Sequence, residues 1–495
     1  MSALTVYLVM ALYFVLGTIV AALARKGMGQ SVADFFLANR AVGGLVAALT
    51  YSATTYSAFM LVGLAGLTYA GGVGALGFEL IYLSGLVLVA FFGPRFWLAG
   101  RRYDYLTPTE MLADRYQSKL LGVIAALAAV VFLIPYSAVQ LVGIATLMEG
   151  LSGGNVPFMA GLVVATVFAV TWAWMGGMRA VAWTDSLQAL VMITIALLSV
   201  VLIVYRGFGG FGGLFEALET SYPRWLTVPG PGTPGYFNPY RFVGLSMPWF
   251  FFCLSNPQVS QRLFIPKSLK HMRTMVMGFL VFGFIYTLIS IIWGFSARVL
   301  LPNLENVDAA TPHLLALDIV PKGVALIVML GITAAAISTV NSIILTLSSM
   351  ISRDVFKKFK PEAEEKQELF VGKLFVPVFT AVIFFFASLR PGLIAVLSVA
   401  SSAGLLVMVP ALFGAFFWKR GTAAGAVTSI LAGGIVAFYF QFGNLFPLGW
   451  WPGIWSGIVS AVLFIVVSLL TKPPLEKAGE FLGYLQEALK EKNAI

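Results

Sequence analysis

The chain has 495 residues, 59% of them hydrophobic and only 11% charged, with a mean hydropathy of +0.92, which excludes a soluble globular protein of ordinary composition. Its single cysteine, Cys253, excludes an intrachain disulfide framework and a cysteine-based metal centre. The net charge of +10 is scattered through short segments between apolar runs, so it speaks of membrane orientation and not of nucleic acid.

Thirteen apolar runs are long enough to cross about 30 Å of hydrocarbon. They lie at about 4–24, 41–70, 73–98, 120–148, 156–177, 184–205, 242–262, 274–297, 321–350, 370–389, 392–418, 422–442 and 450–470. An all-α polytopic membrane protein follows, with the lipid bilayer as its solvent. The first run has no basic residue ahead of it, and Arg25 and Lys26 follow it. That is the wrong polarity for a secretory signal, so it is read as a permanent span. Distributing Lys and Arg over alternating connections places 25 on one side and 6 on the other, with Arg262 counted in the richer set. The positive-inside rule then puts the N-terminus outside and the C-terminus in the cytoplasm of a plasma-membrane protein.

The second run is polar in its middle, Tyr51-Ser52-Ala53-Thr54-Thr55-Tyr56-Ser57. Small and hydroxylated residues there serve helix packing or an unwound span whose carbonyls need partners. Glu79, early in the third run, and Asp185, at the start of the sixth, are the acids within spans, and no Lys or Arg falls near a span centre. Asp185 after Trp183-Thr184 reads as a helix N-cap, as a functional carboxylate, or as both. Residues 207–240 are rich in Gly and Pro and read as an external loop with a short helix at 214–219. The G-x-G-x-x-G match at Gly207, Gly209 and Gly212 follows no strand and is rejected as a dinucleotide site. The seventh run carries Ser255-Asn256-Pro257, and Pro257 breaks the helical ladder at a depth similar to the break in the second. Two interrupted spans at matching places in two five-span blocks point to an inverted-repeat transporter.

A second long outer connection covers 301–320. In the ninth run Ser338, Ser342 and Thr346 recur every fourth residue and align hydroxyls on one helix face, with Thr339 beside them. Such a stripe serves interhelical bonding or a hard cation, which takes oxygens and needs no formal charge. The segment 475–490 is amphipathic and reads as a tail lying on the membrane surface. His271 and His313 fall in loops, and no catalytic triad or clustered metal-ligand set is visible, so no enzyme is expected.

The chain resembles the solute:sodium symporter family, which includes proline, pantothenate, monocarboxylate, sialic acid and sugar carriers. The resemblance rests on Asp34-Phe35-Phe36-Leu37-Ala38, on Gly176-Gly177-Met178-Arg179-Ala180-Val181-Ala182-Trp183-Thr184-Asp185 with Gln188, and on Ala335-Ala336-Ile337-Ser338-Thr339. It implies a LeuT-like 5+5 inverted-repeat core with about 13 transmembrane helices. Residues 1–40 would hold the first span and a cytoplasmic loop, and 41–418 the core (41–206, the loop 207–240, and 241–418). Residues 419–471 would form two peripheral spans and 472–495 the tail.

It also implies sodium bound by the carbonyls of Ala53, Tyr56 and Ala335 and the hydroxyls of Ser338 and Thr339. A second sodium or coupling position falls at Asp185, Asn341 and Ser342, with Asn341 in place of the usual serine. Thr55, Met60, Tyr136, Gln140, Trp249, Cys253, Asn256 and Pro257 fall at substrate-pocket positions, with Glu79 a further candidate. Met60 replaces the glutamine of sugar carriers, which argues against a sugar. The run from Pro135 to Gly143 is close to monocarboxylate carriers, and residues 101–103 to 116–118 are similar to pantothenate permeases.

The expectation is sodium-coupled uptake of a small organic solute by alternating access. That solute would be an amino acid such as proline, or a small carboxylate such as pantothenate or a monocarboxylate. Na+ is the coupling ion, no organic cofactor or nucleic acid is expected, and the protein is a monomer or weak oligomer. The alternatives are a proton-coupled symporter of the same fold, working through Asp185 or Glu79, and a transporter-like solute sensor. No soluble signalling module follows residue 495, which counts against the sensor.

Overall fold

A computed structural model describes residues 1–25, 31–390, 392 and 394–492; Lys26, one of the basic residues beside the first span, lies outside them. The described residues are helical throughout apart from connections and one isolated parallel bridge between Val42 and Pro266. In chain order the helices are α1 (Ala3–Arg25), α2 (Val32–Leu37), α3 (Gly44–Thr55), α4 (Ala65–Gly71), α5 (Gly74–Ser84), α6 (Leu86–Tyr103), α7 (Pro108–Arg115) and α8 (Lys119–Leu151). Then come α9 (Phe158–Phe208), α10 (Phe211–Ser221), α11 (Pro239–Phe250), α12 (Phe252–Ser255), α13 (Pro257–Ser260), α14 (Leu269–Leu300), α15 (Ala310–Ala316) and α16 (Lys322–Met350). The last are α17 (Lys357–Phe359), α18 (Glu365–Ser388), α19 (Ile394–Leu405), α20 (Val409–Phe417), α21 (Ala423–Phe442), α22 (Pro452–Leu470) and α23 (Leu475–Glu491).

Eleven straight helical stretches among the described residues are long and apolar enough to cross a bilayer. The pair Gly44–Thr55 and Phe59–Gly71, bent by 55°, makes a twelfth. The expected seventh span is present as α11, α12, α13 and a 3-10 turn, Gln261–Phe264.

Both breaks have local causes. After α3, Tyr56 leaves the helical region at φ −87°, ψ 96°, and side chains take over the lost ladder. The Ala58 amide donates to Gln140 Oε1 at 3.0 Å and the Phe59 amide to Ser57 Oγ at 3.2 Å, as backbone exposed at membrane depth requires. In the second break Asn256 is extended at φ −91°, ψ 109°, and Pro257, which has no N–H, opens α13.

A third break joins two expected spans. Helix α9 runs from Phe158 to Phe208 across a kink at Gly177, where φ is 54° and ψ −162°. A Cβ there would stand 2.5 Å from the Phe35 carbonyl, so only glycine fits. The span expected from about 184 therefore begins at Gly177. Asp185 lies in its third turn and is not the N-cap that the local sequence suggests.

Helix α16 packs along α9, α3 lies against α14 and α9, and α1 packs on α9. There Tyr13 and Phe14 meet Phe168 and Trp172, and Gln188 Nε2 donates to Tyr13 Oη at 2.7 Å. Small residues let α21 and α22 approach, since a Cβ on Gly433 would collide with Ser460 Oγ. Leu4, Leu8, Leu12 and Leu16 remain exposed on one stripe of α1, a face suited to lipid chains.

The apolar face of the tail packs on protein. Helix α23 buries Phe481, Leu482, Leu485 and Leu489 against α6, α7 and α20. Phe481 stacks on Tyr103, Lys477 Nζ pairs with Asp114 at 2.9 Å, and Tyr103 Oη donates to Glu480 at 2.9 Å. A protein surface covers the apolar stripe that the sequence pattern alone assigns to lipid.

Charge placement also departs from expectation. Arg262, which its sequence position assigns to a loop, is fully buried, as is Arg115. The helical stretch Lys322–Phe359 also carries the buried Asp354, and α18 carries the buried Glu368.

Candidate functional site

The first break in the chain ends α3 with carbonyls that no later turn of helix reclaims, and α16 lies beside them. Ser338 Oγ is 2.7 Å from the Ala53 carbonyl and 2.9 Å from that of Ala335. Thr339 Oγ1 is 3.1 Å from the carbonyls of both Thr54 and Ala335, and 3.4 Å from that of Ala53. Five oxygens from two helices thus converge in a buried cluster. Four of them, from Ala53, Ala335, Ser338 and Thr339, are among the sequence-predicted sodium ligands. Thr54 joins them. Tyr56 sits at the break, and its ring packs on Phe279, Phe282 and Tyr286. An all-oxygen, uncharged cage of this kind fits a hard monovalent cation and nothing that needs nitrogen or sulfur ligands.

A second buried network continues from it along α16. Ser342 Oγ lies 2.7 Å from the Ser338 carbonyl and 3.1 Å from Thr54 Oγ1. It also accepts from Arg262 Nη2 at 2.7 Å. That same nitrogen is 3.3 Å from Asp185 Oδ2 and from Thr50 Oγ1, and Thr50 Oγ1 donates to Asp185 Oδ2 at 2.7 Å. Asp185 and Arg262 are an ion pair with side chains 1% and 0% exposed. Asn341 is buried close by in sequence, with Oδ1 accepting no hydrogen bond from the described residues. Further along, Thr346 Oγ1 donates to Gln261 Oε1 at 2.7 Å and Gln261 Nε2 donates to Ser349 Oγ at 3.1 Å. The hydroxyls of the stripe read from the sequence thus bond at one end to the Ala53 and Ser338 carbonyls and at the other to Gln261 in the turn after α13.

The residues assigned to a substrate pocket gather between the two breaks. Trp249 contacts Phe59, Phe78, Tyr82 and Phe252 at ring-centroid distances of 4.9 to 6.0 Å. Tyr136 Oη lies 3.3 Å from Ser57 Oγ, and its ring meets Phe252. Cys253 is buried on α12, beside Tyr51 and Tyr82. Met60 is buried in the π-helical turn after the first break. Two of the predicted residues have structural partners instead. Thr55 Oγ1 donates to the Tyr51 carbonyl at 2.6 Å, and Gln140 caps the broken helix and donates to the Tyr136 carbonyl at 3.2 Å. Asn256 accepts from Ser255 Oγ at 3.4 Å, beside Pro257 at the second break. Glu79 is fully buried near Trp249, and among the described residues neither carboxyl oxygen has a close hydrogen-bond partner.

Sequence reasoning missed Thr50, Thr54 and Arg262. A signal for Arg262 was available: it lies five residues after Pro257, within one helical restart of the break, and not in a connection.

The family model for the sodium:solute symporter family matches residues 35–433. The chain is 27% identical over 476 residues to the sodium/pantothenate symporter of Escherichia coli (strain K12), covering 93% of this chain and 95% of that protein. It is 27% identical over 490 residues to the sodium/proline symporter of Haemophilus influenzae, covering 93% and 94%. Among solved structures it resembles a Na+-coupled sialic acid symporter in a substrate-bound outward-open state. The TM-score is 0.78 at 21% identity, with 94% of this chain and 98% of the other covered. The fold is thus LeuT-like.

Proposed function

This chain belongs to the sodium:solute symporter family, and from that premise we propose that it moves a small organic solute into the cell together with sodium. The convergence of Ser338 and Thr339 on the Ala53 and Thr54 carbonyls carries the reading. A sodium ion held there ties the interrupted α3 to the uninterrupted α16. Those two helices can separate only when the ion leaves. Ion binding then shifts the balance between outward-open and inward-open arrangements through its differential affinity for them. The residues assigned to the solute, Trp249 and Tyr136 with the buried Glu79 carboxyl, lie near the two breaks.

The relatives named for pantothenate and proline support an amino acid or a small carboxylate as the solute. In the orientation set by the basic residues, the loops 207–240 and 301–320 face outside and α23 faces the cytoplasm. The transport core is 41–418, with α21 and α22 peripheral to it.

Proteoliposomes test the whole reading. Labelled proline, pantothenate, lactate, pyruvate and acetate are offered with and without an inward sodium gradient. Accumulation of one of them only under the gradient is expected. Uptake of any of them that ignores sodium would sink the coupling assignment.

A further inference from the structure

Helices α8, α19 and α21, all within membrane-crossing stretches, leave a hollow of about 560 Å³ between them. A second hollow of about 480 Å³ shares its Val131, Phe132 and Phe438 walls and continues it along α8 and α21. Phe132 marks the junction. A Cβ on Gly404 of α19 would collide with its ring, and one on Gly434 of α21 would just touch it. Along α21 the two hollows together reach from Ile430 to Phe442, roughly 18 Å at the helical rise, which is about the depth of hydrocarbon in one leaflet. On the rim Val131, Ile435, Phe438 and Phe442 are 51% to 68% exposed, so the groove continues the lipid-facing surface inward.

Polar groups gather at one end of it. Ser401 of α19, with Gln441 and Asn444 at the end of α21, lines the larger hollow, whereas the smaller is lined by apolar side chains and Tyr439. Ser401 is 3% exposed, and among the described residues its hydroxyl has no hydrogen-bond partner. A hydroxyl buried in hydrocarbon without an acceptor is costly. This end of α21 is remote from Lys419 and Arg420, so the positive-inside rule assigns it to the outer leaflet. A hollow of similar size, about 580 Å³, lined chiefly by α20 and α22, presents neither a hydroxyl nor a side-chain amide.

An amphiphile with a long apolar chain and acceptors at one end matches the first groove and not the second hollow. Aliphatic and aromatic walls take its methylenes, and O–H and N–H donors take its ester and phosphate oxygens. We propose that the groove between α8, α19 and α21 is a binding site for one phospholipid of the outer leaflet. Its acyl chain lies from Phe442 toward Ile430, and its ester and phosphate oxygens accept hydrogen bonds from Ser401, Gln441 and Asn444.

The test uses the full-length protein in nanodiscs containing a trace of phosphatidylethanolamine whose acyl chain carries a diazirine near its middle. After illumination, mass spectrometry of peptides locates the adducts. A several-fold excess is expected on residues 131–135 and 430–442 over the hollow between α20 and α22 and over the exposed leucines of α1. Ala400→Phe, which fills the larger hollow, should abolish that excess while leaving the unfolding temperature near that of wild type. Ser401→Ala with Gln441→Leu, which removes donors, should do the same. Adducts spread evenly over the lipid-facing helices would mean bulk lipid only and overturn the proposal, as would an excess that survives both variants. Disulfide-linked dimers formed in high yield through Ile435→Cys, with the groove unlabelled, would put a second copy of this chain there and also overturn it. If a variant does not fold, the wild-type adduct map still decides.

Discussion

Ser338 Oγ lies 2.7 Å from the Ala53 carbonyl, which joins a hydroxyl on an unbroken helix to a backbone oxygen freed where another helix stops. Thr339 repeats the connection to Thr54 at 3.1 Å. The two hydroxyls hold the breakpoint of α3 against α16, and a sodium ion in the cage would replace their hydrogen bonds with ligation by the same oxygens.

Replacing both Ser338 and Thr339 with Ala should therefore weaken apparent sodium affinity far more than it harms the fold. At about 1 kcal/mol for each hydroxyl ligand removed, the half-saturating sodium concentration should rise roughly 30-fold. Sodium titration of transport reads the affinity, and thermal unfolding in detergent reads the fold. An unchanged sodium requirement in the double variant would remove the cage as the coupling site.

The proposed solute site gives a second prediction. Trp249→Leu should remove the ring that touches Phe59, Phe78, Tyr82 and Phe252. Tyr136→Phe should remove only the hydroxyl that faces Ser57. Both should alter solute affinity, Trp249→Leu by the larger factor, while solute-free sodium binding stays within about twofold of wild type. If neither changes solute affinity, these aromatics only pack the core. The buried Cys253 thiol offers an independent reading, since bound solute should slow its labelling by a maleimide.

What could be read in advance follows the physics of each signal. The two interrupted spans were legible because Ser255-Asn256-Pro257 and the Tyr51–Ser57 polar run put helix-breaking and polar residues together at mid-span; a proline alone does not suffice, since Pro94, Pro135 and Pro377 lie inside continuous helices. The Ser338–Ser342–Thr346 stripe was legible because helical spacing alone puts these residues on one face. The Asp185–Arg262 pair was not. The apolar run around Pro257 ends near residue 262, so the arginine read as a loop cation, and pairing it with a carboxylate 77 positions away is a tertiary fact. The kink at Gly177 was hidden for a related reason. Its glycine carries a motif, but the close approach of the Phe35 carbonyl that demands glycine comes from another segment. Helix α23 has a real apolar stripe, and amphipathicity does not say whether lipid or protein covers it.

Asp308 supports a prediction about pH. It lies in the connection between α14 and α15, where its Oδ2 accepts from the Ile394 amide at 2.8 Å, while Oδ1 has no partner among the described residues. Next to it, Thr311 Oγ1 donates to the Leu61 carbonyl at 2.5 Å. A Cβ on Gly66 would come 2.9 Å from the Val307 carbonyl. This connection thus closes over α4 and the start of α19. Burial pushes the Asp308 carboxyl up to about 6, partly offset by the Ile394 amide. Tyr236, capped by Arg241, is the titratable neighbour across from it.

The sign follows from the raised value. The closed connection holds the proton more tightly than an open one does, so its added stability is complete below the ordinary carboxylate range and is lost as pH rises through about 6. Opening toward the outside should become easier across that step, and the half-saturating sodium concentration should fall between about pH 5 and about pH 7.5. Asp308→Asn keeps an acceptor for Ile394 and has no proton to lose, so its sodium affinity should be flat over the same range. A step that survives unchanged in Asp308→Asn would assign the effect to another group.

The last prediction separates sodium from proton coupling at Asp185. A carboxylate that carries the coupled proton must gain and lose charge in every cycle, so its conversion to Asn would abolish pH-driven accumulation outright. A carboxylate that neutralises a buried arginine acts by staying charged. Asp185→Asn keeps an oxygen for the Thr50 hydroxyl, which stands 2.7 Å away, and removes the charge opposite Arg262. Breaking one side of a buried pair costs about 3–5 kcal/mol, so a lower unfolding temperature and slower turnover are expected. Sodium-driven uptake should nonetheless remain measurable, because the cage formed by Ala53, Ala335, Ser338 and Thr339 contains no titrating group. The measurement is solute uptake by wild type and Asp185→Asn under a sodium gradient at fixed pH, then under a pH gradient without sodium. Neither protein should accumulate solute in the second condition. Strong wild-type uptake there, lost in the variant, would replace sodium with the proton as the coupled ion and make Asp185 its carrier.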